Sequence, residues 1–331
     1  METDMTDNTL KKCKDGGSMA GSFKMMVVMT AGILIFFVAA KNSITWMLQQ
    51  FLFVSGNFWT SLYKSIYNLF GGNEFLLVSL GTMMTLSIFY WSFVSVMIFV
   101  DATGKPDWIH KYKIQPDYNI PVDSYKLKRA FKRTFFNNTV ISLPYCFLTE
   151  WLFRLRGCSA STTLPEFHTV LLEMLVFFAV QEIGFYYSHR LLHHGWFYKN
   201  IHKRHHEYTS PFAVSNFDVH PLEHVVSNLA PMLAGPIIVG SHVATMWMWF
   251  VMGLFNSISA HSGYHLPFLP SNEPHDFHHL KFVNNFGTWG ILDRLHGTDA
   301  LFRQSKQYQN HRILLGLTPA RELANDSKDV N

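Results

Sequence analysis

From Phe75 to Val100 the chain reads FLLVSLGTMMTLSIFYWSFVSVMIFV, without one charged side chain. A helix needs about 20 apolar residues to cross the roughly 30 Å hydrocarbon core of a bilayer, and this stretch is long enough to cross with tilt. Inside that core every backbone N–H and C=O must find a partner within the protein, so the segment has to be helical. The composition fits a chain built around such spans: 48% of the 331 residues are hydrophobic and 15% charged, with 30 Phe and 9 Trp. An ordinary soluble enzyme of this size is less apolar. The net charge of +4 comes without a basic arm interleaved with aromatics, which excludes a nucleic-acid-binding class. Cys13, Cys146 and Cys158 match neither a disulfide framework nor a CxxC zinc site and suit a reducing compartment.

Other apolar runs flank this span. Met25–Ala40 and, beyond Lys41, Ile44–Val54 read as one bent span, as a span with an interfacial helix, or as a signal anchor. Residues 225–260 contain no Asp, Glu, Lys or Arg and have the length of a helical hairpin. Pro231, Gly235, Pro236 and Gly240 are places for its turn. Residues 136–153 hold Pro144 and Glu150 and read as re-entrant or interfacial. Residues 167–187 are apolar yet hold Glu173 and Glu182; inside a span such groups face protein and serve function, and on an interfacial helix they mark the wet side. Lys126, Lys128, Arg129, Lys132 and Arg133 lie in the polar stretch 101–135, and Arg190, Lys199, Lys203 and Arg204 lie among the histidines that follow. By the positive-inside tendency these stretches face the cytosol. The predicted fold is an all-α, multi-pass integral membrane helical bundle with a cytosol-facing, histidine-rich di-metal domain. Residues 1–24 form an N-terminal tail, 25–165 spans and a basic cytosolic loop, 166–310 the di-metal domain, and 311–331 a C-terminal tail.

Fourteen of the 18 histidines fall between His189 and His279, eleven of them in the figures HRLLHH, HKRHH, HSGYH and HDFHH. On an α-helix residues i and i+4 stand about 40° apart, and i and i+3 about 60°. His202, His205 and His206 can therefore share a face, as can His275, His278 and His279, and His261 can pair with His265. In the first figure His193 is on the face of His189, whereas His194 sits about 140° round; Gly195 offers a helix end that lets His194 swing back. Spacing leaves both open. Neutral imidazole suits iron, zinc, copper or nickel. A single zinc takes three or four protein ligands, so this surplus predicts two metal ions. His220 and His224 in HPLEH read as support for the ligands or as structural, and His110, His168, His242, His296 and His311 as ordinary polar residues.

At these residues the sequence resembles the membrane-bound fatty acid hydroxylase and sterol desaturase superfamily, whose signature of HX3HH or HX4H followed by two HX2HH boxes occurs here in order. HRLLHH, IHKRHHE, AHSGYH, HDFHH and the closing WGILDRLHGT resemble the C4-methylsterol oxidase branch in particular. The likeness covers roughly residues 170–300. It implies His189, His194, His202, His205, His206, His261, His265, His275, His278 and His279 as metal ligands, with His193 completing the first box. His265 stands where the sterol oxidase branch places a different residue and the fatty acid 2-hydroxylase branch a histidine. The resemblance further implies two iron ions (zinc as a substitute) that activate dioxygen against a C–H bond of a membrane lipid. Electrons would come from NAD(P)H through a separate donor, cytochrome b5 or its reductase, at the endoplasmic reticulum membrane. The substrate implied is a sterol or a fatty-acyl lipid. Glu182, seven residues before His189 and nearly on its helix face, is a candidate to hold a ligating imidazole through its other nitrogen. Two rival functions are a membrane zinc-dependent lipid hydrolase, which histidine-only ligation also permits, and a non-catalytic sterol-binding relative.

Overall fold

The computed structural model of the protein describes residues 19–326, with side chains for 25–324. Cys13, most of the expected N-terminal tail and residues 327–331 lie outside the described residues. Every regular element among the described residues is helical; a single antiparallel bridge joins Lys113 and Tyr264. The main helices are α1 (Met19–Leu69), α2 (Glu74–Thr103), α3 (124–156), α4 (Phe167–Leu192), α5 (Pro221–Val239), α6 (Val243–His261) and α7 (Glu273–Lys281). Of these α1, α2, α4, α5 and α6 are long and apolar enough to cross a membrane. The chain is an all-α membrane protein.

It divides into two units, Met1–Leu62 and Tyr63–Asn331. In the first, the described residues form one uninterrupted helix, Lys41 included, so the two apolar runs expected there are a single element. Its apolar side chains point outward all round, Phe36, Phe37, Phe51 and Phe53 among them. A helix that is apolar on every face has hydrocarbon as its natural surroundings.

In the second unit α2 and α6 run in the same sense. Trp247 Nε1 donates to Thr82 Oγ1 (2.8 Å), and two turns on Tyr90 reaches Ser257 through Asn216 (2.7 and 3.2 Å). Helices α4 and α5 are antiparallel and very close: a Cβ on Gly184 would sit 3.0 Å from Pro231, and one on Gly235 2.9 Å from the Phe177 backbone. Small residues at such crossings let membrane helices pack backbone to backbone. The turn of the predicted hairpin falls at Gly240 (φ 74°), and His242 then starts α6 by accepting from Ala244 N (3.1 Å). At this end Val243 N also donates to Ser159 O (2.9 Å). The opposite end carries the C-terminus of α4, the start of α5 and the C-terminus of α6, and it gathers the histidines.

Residues 136–153, expected to be re-entrant or interfacial, are helical and are not among the helices apolar and long enough to cross a membrane. They belong to α3, which runs from Asn137, bonded to Phe217 O (2.9 Å), down to Arg156, which donates to Ile238 O (3.2 Å). A π-turn at Asn137–Ile141 precedes Pro144, which then falls in the first turn of Ser142–Arg156, where its missing N–H costs nothing. Two further π segments, Leu77–Gly81 and His224–Leu229, interrupt α2 and α5. The expected C-terminal tail is packed through residue 324: Leu314 and Ala320 are buried beside Tyr112, whose hydroxyl donates to Leu317 O (2.7 Å). Replacing Gly235 by Val drives a side chain into Phe177, an overpacking of about 1–3 kcal/mol. Thermal unfolding in detergent should show the lower midpoint, while Gly32→Val, which meets nothing within 4 Å, should leave it unchanged.

Candidate metal centre

Two groups of imidazoles meet at the histidine end of α4 and α6. His189, His193, His202, His206 and His278 form one, and His205, His261, His275 and His279 the other. Within each group the ligand-capable atoms lie within 4.8 Å of one another. The two HxxHH boxes are each divided between the groups. In the first box His189 and His193, four apart, stay together. In HKRHH the outer pair His202 and His206 joins them while His205 goes across. In HDFHH the outer pair His275 and His279 belongs with His205, and His278 goes across. The reason is angular: on α7 positions i+3 and i+4 fall on opposite sides of residue i, about 100° from each other, and in the 3₁₀ turn His202–Glu207 adjacent residues stand about 120° apart. Adjacent histidines thus point to two centres. The three histidines of each HxxHH box do not share one site, as their common face suggested.

The outward nitrogens determine which inward ones are bare. His189 Nδ1 donates to Phe286 O (2.7 Å), His202 Nδ1 to a Glu223 oxygen (2.7 Å), His261 Nδ1 to Ser257 O (2.8 Å), His278 Nδ1 to Asn284 O (2.6 Å) and His279 Nδ1 to Tyr208 O (3.0 Å). A neutral imidazole has one proton, so Nε2 of each of these rings carries only its lone pair. Yet His189 Nε2 and His202 Nε2 lie 3.1 Å apart, and His202 Nε2 also lies 3.0 Å from that of His193 and 2.9 Å from that of His206. His261 Nε2 stands 3.1 and 2.9 Å from the Nε2 atoms of His205 and His275. The buried Nε2 atoms of His278 and His279 have no partner in the protein. The facing lone pairs of His189 and His202 repel unless a cation lies between them, and the Nδ1 atoms of His205 and His206 are buried without a partner in the protein. Nitrogens at right angles around an ion, each about 2.0–2.1 Å from it, are roughly 3.0 Å apart. The donor set therefore fits a pair of imidazole-ligated metal ions.

Burial, and then the neighbouring imidazoles, hold His193, His202, His205, His206, His275, His278 and His279 below the ordinary histidine value. They are neutral at neutral pH, the form that binds metal.

Some expected residues are elsewhere. His194 is outside both groups: α4 ends at His193, and His194 turns to an extended conformation (ψ 123°) as the N-cap of Gly195–Asn200. The i+4 geometry of His193 prevails. His265 is also outside, because Gly263 (φ 73°) breaks the helix after His261 and cancels the i+4 relation. Its ring lies between Glu273 (3.4 Å) and Arg312 O (2.9 Å). Glu182 touches no imidazole. Its carboxylate accepts from the backbone N–H groups of Thr288, Trp289, Ile291 and Leu292 (2.9–3.2 Å). Asp293 takes those of Phe286 and Gly287 (2.8 and 2.7 Å), so the two carboxylates hold the loop that presents Phe286 O to His189. Gly287 leaves room for both, since a Cβ there would lie 2.8 and 2.9 Å from their oxygens. His220 caps Leu222 N (3.2 Å) and His224 sits 3.1 Å from Ser142 Oγ; neither touches a clustered imidazole. HPLEH reaches the site through Glu223, which sequence reasoning passed over. The signal available was a carboxylate inside an otherwise apolar run.

Against the inner side of the groups lies a cavity of about 700 Å³, lined by His189, His202, His205, His261 and His275 at one point and by Leu86, Phe178, Phe185, Met232 and Trp249 among the spans. That volume is within the range of small-molecule and cofactor sites.

A membrane-embedded helical protein with paired histidine clusters opening on an apolar cavity is thus defined as a class. The fatty acid hydroxylase profile matches residues 174–298, which include every clustered histidine. The chain is 44% identical over 322 residues, 96% of its length and 95% of the relative's, to fatty acid hydroxylase domain-containing protein 2 of Homo sapiens. It is 34% identical to a very-long-chain aldehyde decarbonylase of Oryza sativa subsp. indica (71% of this chain, 89% of the relative). It is 32% identical to a methylsterol monooxygenase of Arabidopsis thaliana (71% and 90%). No solved structure matches. The chain belongs to the fatty acid hydroxylase family.

Two outcomes follow from this geometry. Glu223→Gln weakens the orientation of His202 and should cost about 10- to 100-fold in metal affinity, read by competition with a chelator. The lowered histidine values set the sign of the pH dependence. Below about 6.5 the unfolded chain takes up protons that the folded one refuses, so stability present above that pH is lost as pH falls. Metal-free protein should show a falling unfolding midpoint from about pH 6.5 downward.

Proposed function

We propose that the protein is an oxygen-dependent lipid oxygenase of the endoplasmic reticulum membrane, acting on a C–H bond of a sterol, of the C4-methyl type, or of a fatty-acyl lipid. The observation that carries this reading is the convergence of two sets of ring nitrogens, with the bare Nε2 atoms of His189 and His202 facing each other, beside a cavity among apolar helices. His189, His193, His202, His206 and His278 would hold one iron, and His205, His261, His275 and His279 the second. Bound iron would supply the reductive activation of dioxygen and the attack on the unactivated C–H bond.

The chain's own residues do the rest. Phe286 O, Glu223, Ser257 O, Asn284 O and Tyr208 O fix the rings so that their lone pairs converge without rearrangement. Phe178, Phe185, Met232 and Trp249 line the approach, admitting a lipid and excluding water. Exposed Lys126, Lys128 and Lys132 lie at the histidine end, where Arg129 pairs with Glu207 (2.5 Å), so the positive-inside tendency favours a cytosolic site. That placement suits electron delivery from NAD(P)H through a separate carrier such as cytochrome b5 or its reductase. The names of the relatives support both substrate types.

Metal analysis of purified protein tests the reading. About two iron ions per chain, lost in His205→Ala and His278→Ala, with oxygen uptake and a missing oxygenated lipid in cells lacking the protein, are expected. Zinc alone, with no oxygen uptake and with release of acids from lipid esters or amides, would replace it by a hydrolase.

A further inference from the structure

The cavity contains polar groups that metal chemistry does not use. Gln181 lines it from α4 and is only 7% exposed, yet its carboxamide makes no hydrogen bond in the protein, and its Oε1 is buried without a partner. It lies on the same helix face as Phe178, Phe185 and His189, all cavity-lining, eight residues before that histidine and so about 12 Å away along the axis. Leaving a buried amide unmet costs on the order of 1–3 kcal/mol, so the position calls for a partner from outside the chain. Two further carboxamides on spanning helices line the cavity without a hydrogen bond in the protein, Asn228 on α5 and Asn256 on α6, and on α3 the buried Nδ2 of Asn138 also lacks a partner. Asn256 precedes His261 by five residues, about 7.5 Å along its helix. The charged groups that line the cavity have partners in the protein: Glu223 is bonded to His202, Asp293 to the backbone of the 286–287 loop, Arg294 to Asp299 (2.9 Å) and Arg312 to Gln309 O (2.6 Å).

From this we infer that the span-embedded part of the cavity is built for a neutral lipid bearing a hydroxyl or carbonyl oxygen, with Gln181 as its principal hydrogen-bonding anchor and Asn228 and Asn256 as secondary ones. The inference rests on the lipid-oxygenase reading and narrows its substrate class. A bare hydrocarbon chain would leave these amides unmet, whereas an ionised headgroup would have to compete for charges that already have partners in the protein. Three spanning helices each contribute one such amide to the cavity. That arrangement specifies an oxygen at a set depth below the histidines and so governs which carbon reaches them.

Binding measured without turnover separates this inference from the oxygenase reading, because it needs neither oxygen nor electrons. The full-length protein in nanodiscs is titrated with matched lipids differing by one oxygen: cholesterol against cholestane, and oleyl alcohol against octadecene. Wild type is expected to favour the oxygen-bearing member of at least one pair by about tenfold. Gln181→Met, close in volume and apolar, should reduce that preference severalfold while the hydrocarbon binds as well or better. Equal binding of both members of both pairs by the wild type would overturn the proposal without recourse to a variant. An undiminished preference in a folded Gln181→Met protein would overturn the role of Gln181. If the Met variant does not fold, Gln181→Leu, which likewise removes both donor and acceptor, is read in its place, and an unchanged preference there overturns that role equally.

Discussion

Imidazole nitrogens crowded about 3 Å apart, with the bare lone pairs of His189 and His202 face to face, are the constraint on which the rest of the structure depends. Left to themselves these rings would turn away from one another or take up protons and repel as cations. Both escapes are blocked. Outward Nδ1 bonds to backbone carbonyls and to Glu223 fix the rings, and burial holds those outside the spans in the uncharged form. The protein thus invests folding energy in an arrangement whose favourable counterpart is a cation.

Much of the scaffold serves those outward bonds. Glu182 and Asp293 hold the loop that offers Phe286 O to His189, and the start of α5 delivers Glu223 to His202. Close packing of α4 on α5 through Gly184 and Gly235 brings the carriers of His189 and Glu223 together. The network holding the rings is therefore continuous with the packing of the spans, and a change well below the histidines can reach them through helix position alone. The π segments in α2, α3 and α5 shift the helical register partway along these elements, and Asn138, His224, Ser227 and Asn228 from them line the cavity. Such interruptions are frequent where a helix has to serve a site rather than only pack.

A large share of the fold was legible in the sequence. The span around Phe75–Val100, the hairpin that turns at Gly240 and the all-helical class follow from charge-free length, because hydrocarbon admits no other backbone. The histidine boxes announced a metal-type site for a similar reason, since few other tasks need so many imidazoles at helical spacing. Less accessible was α3, whose Pro144 and Glu150 suggested an interruption. The π-turn places that proline in a fresh first turn, and Glu150 pairs with Arg154 (2.6 Å).

Residue type and spacing, then, were enough by themselves to determine helices, their apolar lengths and which segments bring imidazoles near one another, because those properties arise within a few turns of chain. Only the tertiary structure decided how the two HxxHH boxes are shared between two centres, that His193 rather than His194 points inward, that Gly263 turns His265 aside, and that Glu223 orients His202 while Glu182 holds a loop. Those outcomes depend on where a helix stops and on what stands opposite it. Neither is written in local periodicity, because each is settled by groups that meet across tens of residues.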